Sequence, residues 1–138
     1  LIRRFHEAKF LGSSQVAVWG SGSPMREFLH VDDMARASVF VMNLYQDSHS
    51  SKTKPMMSHI NVGSGIDCTI KNLAQTISRV IGFSGEIIWD SSMPDGAPRK
   101  LMDVSVIESL GWTASIGLES GIKNTYEWFL ENIDGLRL

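Results

Sequence analysis

Residues 16–33, VAVWGSGSPMREFLHVDD, constrain this chain more than any other stretch. Val16, Val18 and Trp19 form a short apolar run that reads as a strand. Two glycines, two serines and a proline then turn the chain, and a second strand is expected over residues 26–31. Asp32 and Asp33 predict a carboxylate-capped helix start, where anionic side chains answer the free N–H groups and the positive end of the helix dipole. A flat aromatic, Trp19, and a forked cation, Arg26, therefore stand at the two shoulders of one tight loop. Such a pair suits an anionic ligand carrying a ring, since a guanidinium takes phosphate oxygens two at a time. The same residues also allow a plainer reading, with Trp19 in the core and Arg26 paired to Glu27 or an aspartate.

Around that stretch the periodicities alternate. Residues 1–10 read as a helix with Leu1, Phe5 and Ala8 on one face, and no capping residue precedes it, so upstream sequence is expected. The helix opened by Asp32 carries Ala35, Val39 and Met42 on one side and Ala37, Val41, Leu44 and Tyr45 on another, an apolar arc wide enough to be covered by a sheet. Residues 46–54 read as a flexible polar loop ended by Pro55, and residues 59–62 as a short strand leading into Gly63-Ser64-Gly65. Thr69 caps the most regular helix, with Ile70, Leu73, Ala74, Ile77 and Ile81 at helical spacing and Gly82 as its stop. A strand over 86–89, a turn-built loop over 90–100, a short helix from Asp103 to Leu110 and a last amphipathic helix over 118–132 complete the chain. Leu118, Ile122, Thr125, Phe129 and Ile133 form the packing side of that last helix. Strands separated by helices, without repeats, give a mixed α/β or α+β class.

The length of 138 residues suffices for one domain with a core. A net charge of −2 with interspersed signs gives no electrostatic reason to expect nucleic acid or a membrane as partner. One cysteine rules out an intrachain disulfide and no Cys/His pair has zinc spacing, which suggests a reducing setting. Neither Gly20-Ser21-Gly22 nor Gly63-Ser64-Gly65 completes a dinucleotide or Walker sequence, and both read as turns. No serine sits in a nucleophile elbow, and neither Tyr45 nor Tyr126 has a lysine four residues on. Cys68 precedes a helix start, though such a cysteine is more often a small packed residue. His30 beside Asp32 and Asp33 reads as a satisfied histidine before it reads as a ligand. Arg4, Arg26, Arg99 and Lys100 lie on three separate elements; converging, they would clamp a diphosphate, with Asp95 free to accept from ribose or base.

The stretches LIRRFHEA, VWGSGSPMREFLHVDDMARAS, HINVGSGIDCTIKNLAQTI, MPDGAPRKLMDVS and TYEWFLEN resemble the GDP-L-fucose synthase family of extended short-chain dehydrogenase/reductases, over nearly the whole chain. The resemblance implies epimerisation of GDP-4-keto-6-deoxy-D-mannose at C3 and C5, then reduction with NADPH to GDP-L-fucose, by a cytoplasmic homodimer. It implies that residues 1–138 are the C-terminal substrate-binding region, whose strand at 59–62 and helix from Asp33 complete the edge of a Rossmann sheet. Catalytic and NADP(H)-binding residues would then precede Leu1, and Cys68 does not match the family's catalytic cysteine. Carried over by motif, the substrate-binding positions are Arg4, Trp19, Arg26 and Asp95, with Lys100 as a further phosphate contact. No metal is implied, and the region alone is expected to be inactive. Other readings are the C-terminal part of a different nucleotide-sugar epimerase or dehydratase, and a non-catalytic nucleotide-binding domain.

Overall fold

The structure is a computed structural model that describes residues 1–44, 50, 52–56, 58–135. Tyr45 and most of the expected polar loop over 46–54 lie outside the described residues. The chain divides into two compact units that interleave in sequence. The first comprises Leu1–Arg26, Cys68–Arg99 and Gly117–Leu138, the second Glu27–Asp67 and Lys100–Ile116.

In the first unit, strand β1 (Gln15–Trp19) runs parallel to β4 (Glu86–Asp90), in a register that pairs Val16 with Ile87 and Trp19 with Asp90. Successive side chains of a strand point to opposite faces, so Val16 and Val18 enter the core while Gln15, Ala17 and Trp19 stay outside. Helices α1 (Ile2–Phe10), α3 (Ile70–Ile81) and α5 (Leu118–Asn132) supply the rest of that core. Phe5, Leu73, Ala74, Ile77, Ile81, Phe83 and Ile122 close around the two valines. The predicted face of α1 holds for Phe5 and Ala8, whereas Leu1 stays exposed. On α5, Ile122 and Phe129 are buried and Ile133 falls in a 3-10 turn, Ile133–Gly135.

α3 forms as its spacing predicts, down to both ends. The Thr69 hydroxyl accepts from the Asn72 N–H at 3.0 Å, satisfying a donor that the helix leaves without an internal partner. Gly82 stops the helix at φ +73°, a left-handed conformation that suits a residue without Cβ. The Lys9 ammonium donates to the Ile81 carbonyl at 2.7 Å, holding α1 to that end.

The second unit has its own core. Helices α2 (Val31–Met42) and α4 (Ser105–Ser109) enclose Ala37, Val104, Ile107 and Trp112, with Phe40, Val41, Ile60 and Val62 packed against them. Three expectations change here. The second strand, β2, covers only Met25–Glu27, because Leu29 turns into this core. α2 starts at Val31 with His30 as its cap, the imidazole Nδ1 accepting from the Asp32 N–H at 3.2 Å, so the helix is not capped by Asp32 or Asp33. Residues 59–62 are not a strand: Ile60 and Val62 alternate inward, but nothing among the described residues pairs with their backbone. The strand in this region is β3 (Asp67–Thr69).

The apolar arc of α2 is only partly covered. Ala37 is buried, and Phe40 and Val41 are half-buried, whereas Val39 is 58% exposed and Met42 83% exposed. Asp33, by contrast, is 1% exposed. It accepts from the Ile116 N–H at 2.8 Å, from the N–H and hydroxyl of Ser115, and from the Arg36 guanidinium at 2.7 Å. Asp33 is therefore a buried tie within this unit, a role its sequence position as a cap does not suggest. Asp103 does act at the start of α4, accepting from the Ser105 N–H at 3.0 Å.

Candidate functional site

The candidate site belongs wholly to the first unit. Trp19 ends β1, and the strand's alternation leaves its indole 64% exposed, which overturns the core reading of this residue. The chain then turns through Gly20 at φ +82° and Gly22 at φ +76°. Both conformations disfavour a Cβ, and the space forbids one as well. A Cβ at Gly20 would collide with Asp95 Oδ1, and one at Gly22 would lie 2.6 Å from the Trp89 ring. Pro24 follows, its carbonyl accepting from the Ile70 N–H at 3.0 Å, while Met25 donates to the Pro98 carbonyl at 2.8 Å. These bonds fasten β2 between the start of α3 and the loop after β4.

Arg26 is thus placed by backbone on both sides. Its Nη1 donates to the Met25 carbonyl at 2.6 Å, and its Nη2 lies near Gly96, where an added Cβ would come within 3.1 Å. The alternative of an Arg26–Glu27 pair is not formed. Glu27 instead accepts from the Gly65 N–H at 2.6 Å, the Met102 N–H at 3.0 Å and the Ser64 hydroxyl at 3.3 Å.

Trp19, Arg26 and Asp95 line one open hollow of about 140 Å³, together with Gly22, Pro24, Ile70, Pro94 and Gly96. Ligand pockets for whole drug-sized molecules run to about 300–1,000 Å³. The hollow therefore takes part of a ligand, with the rest outside it. Its wall combines an aromatic face, two prolines, one fixed cation and one carboxylate.

Asp95 is not free, as the sequence reading had it. Its Oδ1 accepts from the Ser21 N–H at 2.9 Å and its Oδ2 from the Ser21 hydroxyl at 2.6 Å. The Ser21 hydroxyl first, then the Ser21 N–H, outweigh slight desolvation and hold the carboxyl below the usual carboxylate range, with a smaller contribution from Ser23. An ionised carboxylate has about four acceptor positions, so two remain for a ligand. The other proposed contacts do not join them. Arg4 donates Nη1 to the Ala17 carbonyl at 2.8 Å and is not among the residues around the hollow. Lys100, on β5 (Arg99–Lys100), belongs to the second unit and does not line it either.

The two glycine turns are turns, and their physical reason is shared: each receives a carboxylate. Ser21 holds Asp95, and Gly65 holds Glu27, for which Gly63 leaves space that a Cβ would fill. The Ser21 and Gly65 N–H groups are thereby engaged by side chains of this chain. Among the described residues no cluster of His, Cys, Asp and Glu could hold a metal ion, and no helix is long and apolar enough to cross a membrane. Sequence reasoning missed Ser21. The available signal was a serine between two glycines that cannot both be cradling a phosphate without the fingerprint.

Residues 1–63 match the model of the NAD dependent epimerase/dehydratase family. The chain is 58% identical to the GDP-L-fucose synthase of Escherichia coli (strain K12), over 99% of this chain and 43% of that protein. It is 54% identical to the putative GDP-L-fucose synthase 2 of Arabidopsis thaliana, over 96% of this chain and 38% of that one. The chain thus spans about two fifths of the length of these relatives. Among solved structures it superposes on a GDP-L-fucose synthetase from Naegleria fowleri with TM-score 0.86 and 29% identity, covering 100% of this chain and 40% of that one. A GDP-mannoheptose C4 reductase from Campylobacter jejuni with NADP bound gives TM-score 0.81 and 38% identity, covering 94% and 43%.

Proposed function

We infer that this chain is the C-terminal, substrate-gripping part of an extended short-chain dehydrogenase/reductase of the GDP-L-fucose synthase family, and its role follows from that premise. Its mixed α/β fold matches the C-terminal part of such reductases and epimerases. The role proposed is to hold a GDP-sugar by its nucleotide diphosphate, while a preceding Rossmann domain with NADP(H) carries out epimerisation at C3 and C5 and reduction to GDP-L-fucose.

The observation that carries this reading is the convergence of Trp19 at the end of β1, Arg26 on β2 and Asp95 in the loop after β4 on one hollow. Trp19 offers a stacking face, Arg26 two parallel donors for phosphate oxygens, and Asp95 a fixed acceptor for O–H or N–H groups. Gripping the remote nucleotide turns binding energy into orientation of the reacting sugar. In this proposal the chain's own residues bind and orient the substrate. Arg4 and Lys100 remain proposed phosphate contacts, Arg4 only if it leaves the Ala17 carbonyl. A cytoplasmic, dimeric full-length enzyme belongs to the same proposal.

Calorimetric titration with GDP, and with UDP as control, tests it. GDP-selective binding is expected, and Arg26→Ala should weaken it about tenfold to a hundredfold, the loss of a charge-assisted bidentate contact. Equal affinity for UDP would overturn the preference for a guanine nucleotide, and an unchanged GDP affinity in Arg26→Ala would remove Arg26 from the grip.

A further inference from the structure

We propose that Ser21, which does not itself line the hollow, is the positioning residue that aims the Asp95 carboxylate into it. The proposal deepens the reading of the hollow as a GDP-sugar grip and rests on it.

Ser21 and Asp95 are far apart in sequence, yet one residue holds both oxygens of the other. The Ser21 N–H meets Oδ1 at 2.9 Å and its hydroxyl meets Oδ2 at 2.6 Å. Two donors from a single residue fix the plane of a carboxylate, whereas one would leave it free to rotate. The proton count of the loop sets a direction. Ser21 has one hydroxyl proton, and it goes to Asp95. The Ser21 oxygen therefore accepts from the Ser23 N–H at 3.1 Å, and the Ser23 hydroxyl lies 2.7 Å from it. Ser23 thus polarises Ser21 toward the carboxylate, and such chains strengthen each member.

Close approach of the two segments depends on Gly20, where any Cβ would meet Asp95 Oδ1. Only Asp95 of this set lines the hollow, beside Arg26 and Trp19. The outward acceptor positions of the fixed carboxylate are what a ligand hydroxyl or N–H would meet. Ser21 acts on a ligand through Asp95.

The test compares the chain with Ser21→Ala and Ser21→Thr in GDP titrations from pH 2.5 to 6, together with carbon-detected titration of the Asp95 carboxyl without ligand. Ser21→Ala should bind GDP about fivefold to tenfold more weakly. Its Asp95 should titrate at higher pH, and the acid limb of GDP binding should move up with it. Ser21→Thr, which keeps both donors, should match the parent in all three. Equal GDP affinity in Ser21→Ala overturns the proposal, as does weaker binding with an unmoved Asp95 titration and no rescue by threonine, which would mean a disturbed loop. Absence of GDP binding by the parent chain would overturn the functional reading instead. The ligand-free titration would then decide the present proposal, an unshifted Asp95 in Ser21→Ala overturning it.

Discussion

Carboxylates decide much of this structure, and Asp33 shows what one of them contributes. Burial alone would raise its pKa, but the Ile116 N–H, the Arg36 guanidinium and the N–H and hydroxyl of Ser115 outweigh burial and lower it to about 2. A folded-state pKa below the unfolded value means that the ionised form stabilises the fold. That contribution is fully present above about pH 4 and is lost as the pH falls through about 2; its size is about 2 kcal/mol. Asp33→Asn should therefore be less stable than the parent at pH 7 by about that amount, and the gap should close on acidification. Denaturant unfolding at pH 7, 4, 3 and 2 measures it, and two curves that stay parallel down to pH 2 would place the acid sensitivity elsewhere. Nothing in the local sequence announces this role. Asp33 follows Asp32 at a helix start, where carboxylates are common for local reasons, and its partners at 115 and 116 are distant in the chain. Trp19 was legible in principle, since alternation from Val16 and Val18 already sends it to the outer face.

Elements were legible where local physics suffices. α3 follows from one apolar stripe, one hydroxyl cap and one glycine stop, all within the helix's own sequence. Its ends make independent predictions. Thr69→Ala removes the acceptor for the Asn72 N–H and should cost about 1 kcal/mol. Gly82→Ala forces an L side chain to φ +73°, close to the Lys9 ammonium, and should cost about 1 kcal/mol as well. The two sites stand at opposite ends of a helix about 18 Å long, so the double variant should lose the sum within about 0.5 kcal/mol. Thermal or urea unfolding of the three variants checks this, and a markedly sub-additive double variant would mean that the helix frays at one end before the fold is lost. Residues 59–62 mark the opposite case. Their alternation is right for a strand, and Ile60 and Val62 do turn inward, but a strand exists only where a second backbone pairs with it. His30 shows a subtler miss: two aspartates suggested the cap, and the histidine two positions ahead of the first of them supplies it.

At the scale of the molecule, the sequence gives no sign of two interleaved cores. Chain length fits one domain, and apolar residues are spread evenly, yet Ile77 and Ile107 end in separate clusters. Which apolar residues meet is set by contacts between distant segments, such as Phe5 with Phe83, and periodicity reports only which face is apolar. The site inherits this division, since Trp19, Arg26 and Asp95 all lie in the first unit. Mild truncations separate the two cores experimentally. Ile77→Val and Ile107→Val should each cost about 0.5–1.5 kcal/mol, little enough to keep a folded chain of ordinary stability. Hydrogen exchange should then quicken in α1, β1 and α3 for Ile77→Val, and in α2 and α4 for Ile107→Val, because local opening follows the contacts that hold each segment. GDP affinity should fall only with the first. Uniform loss of protection from either substitution would mean that the two clusters open as one cooperative core, and the grip on the nucleotide would then depend on both.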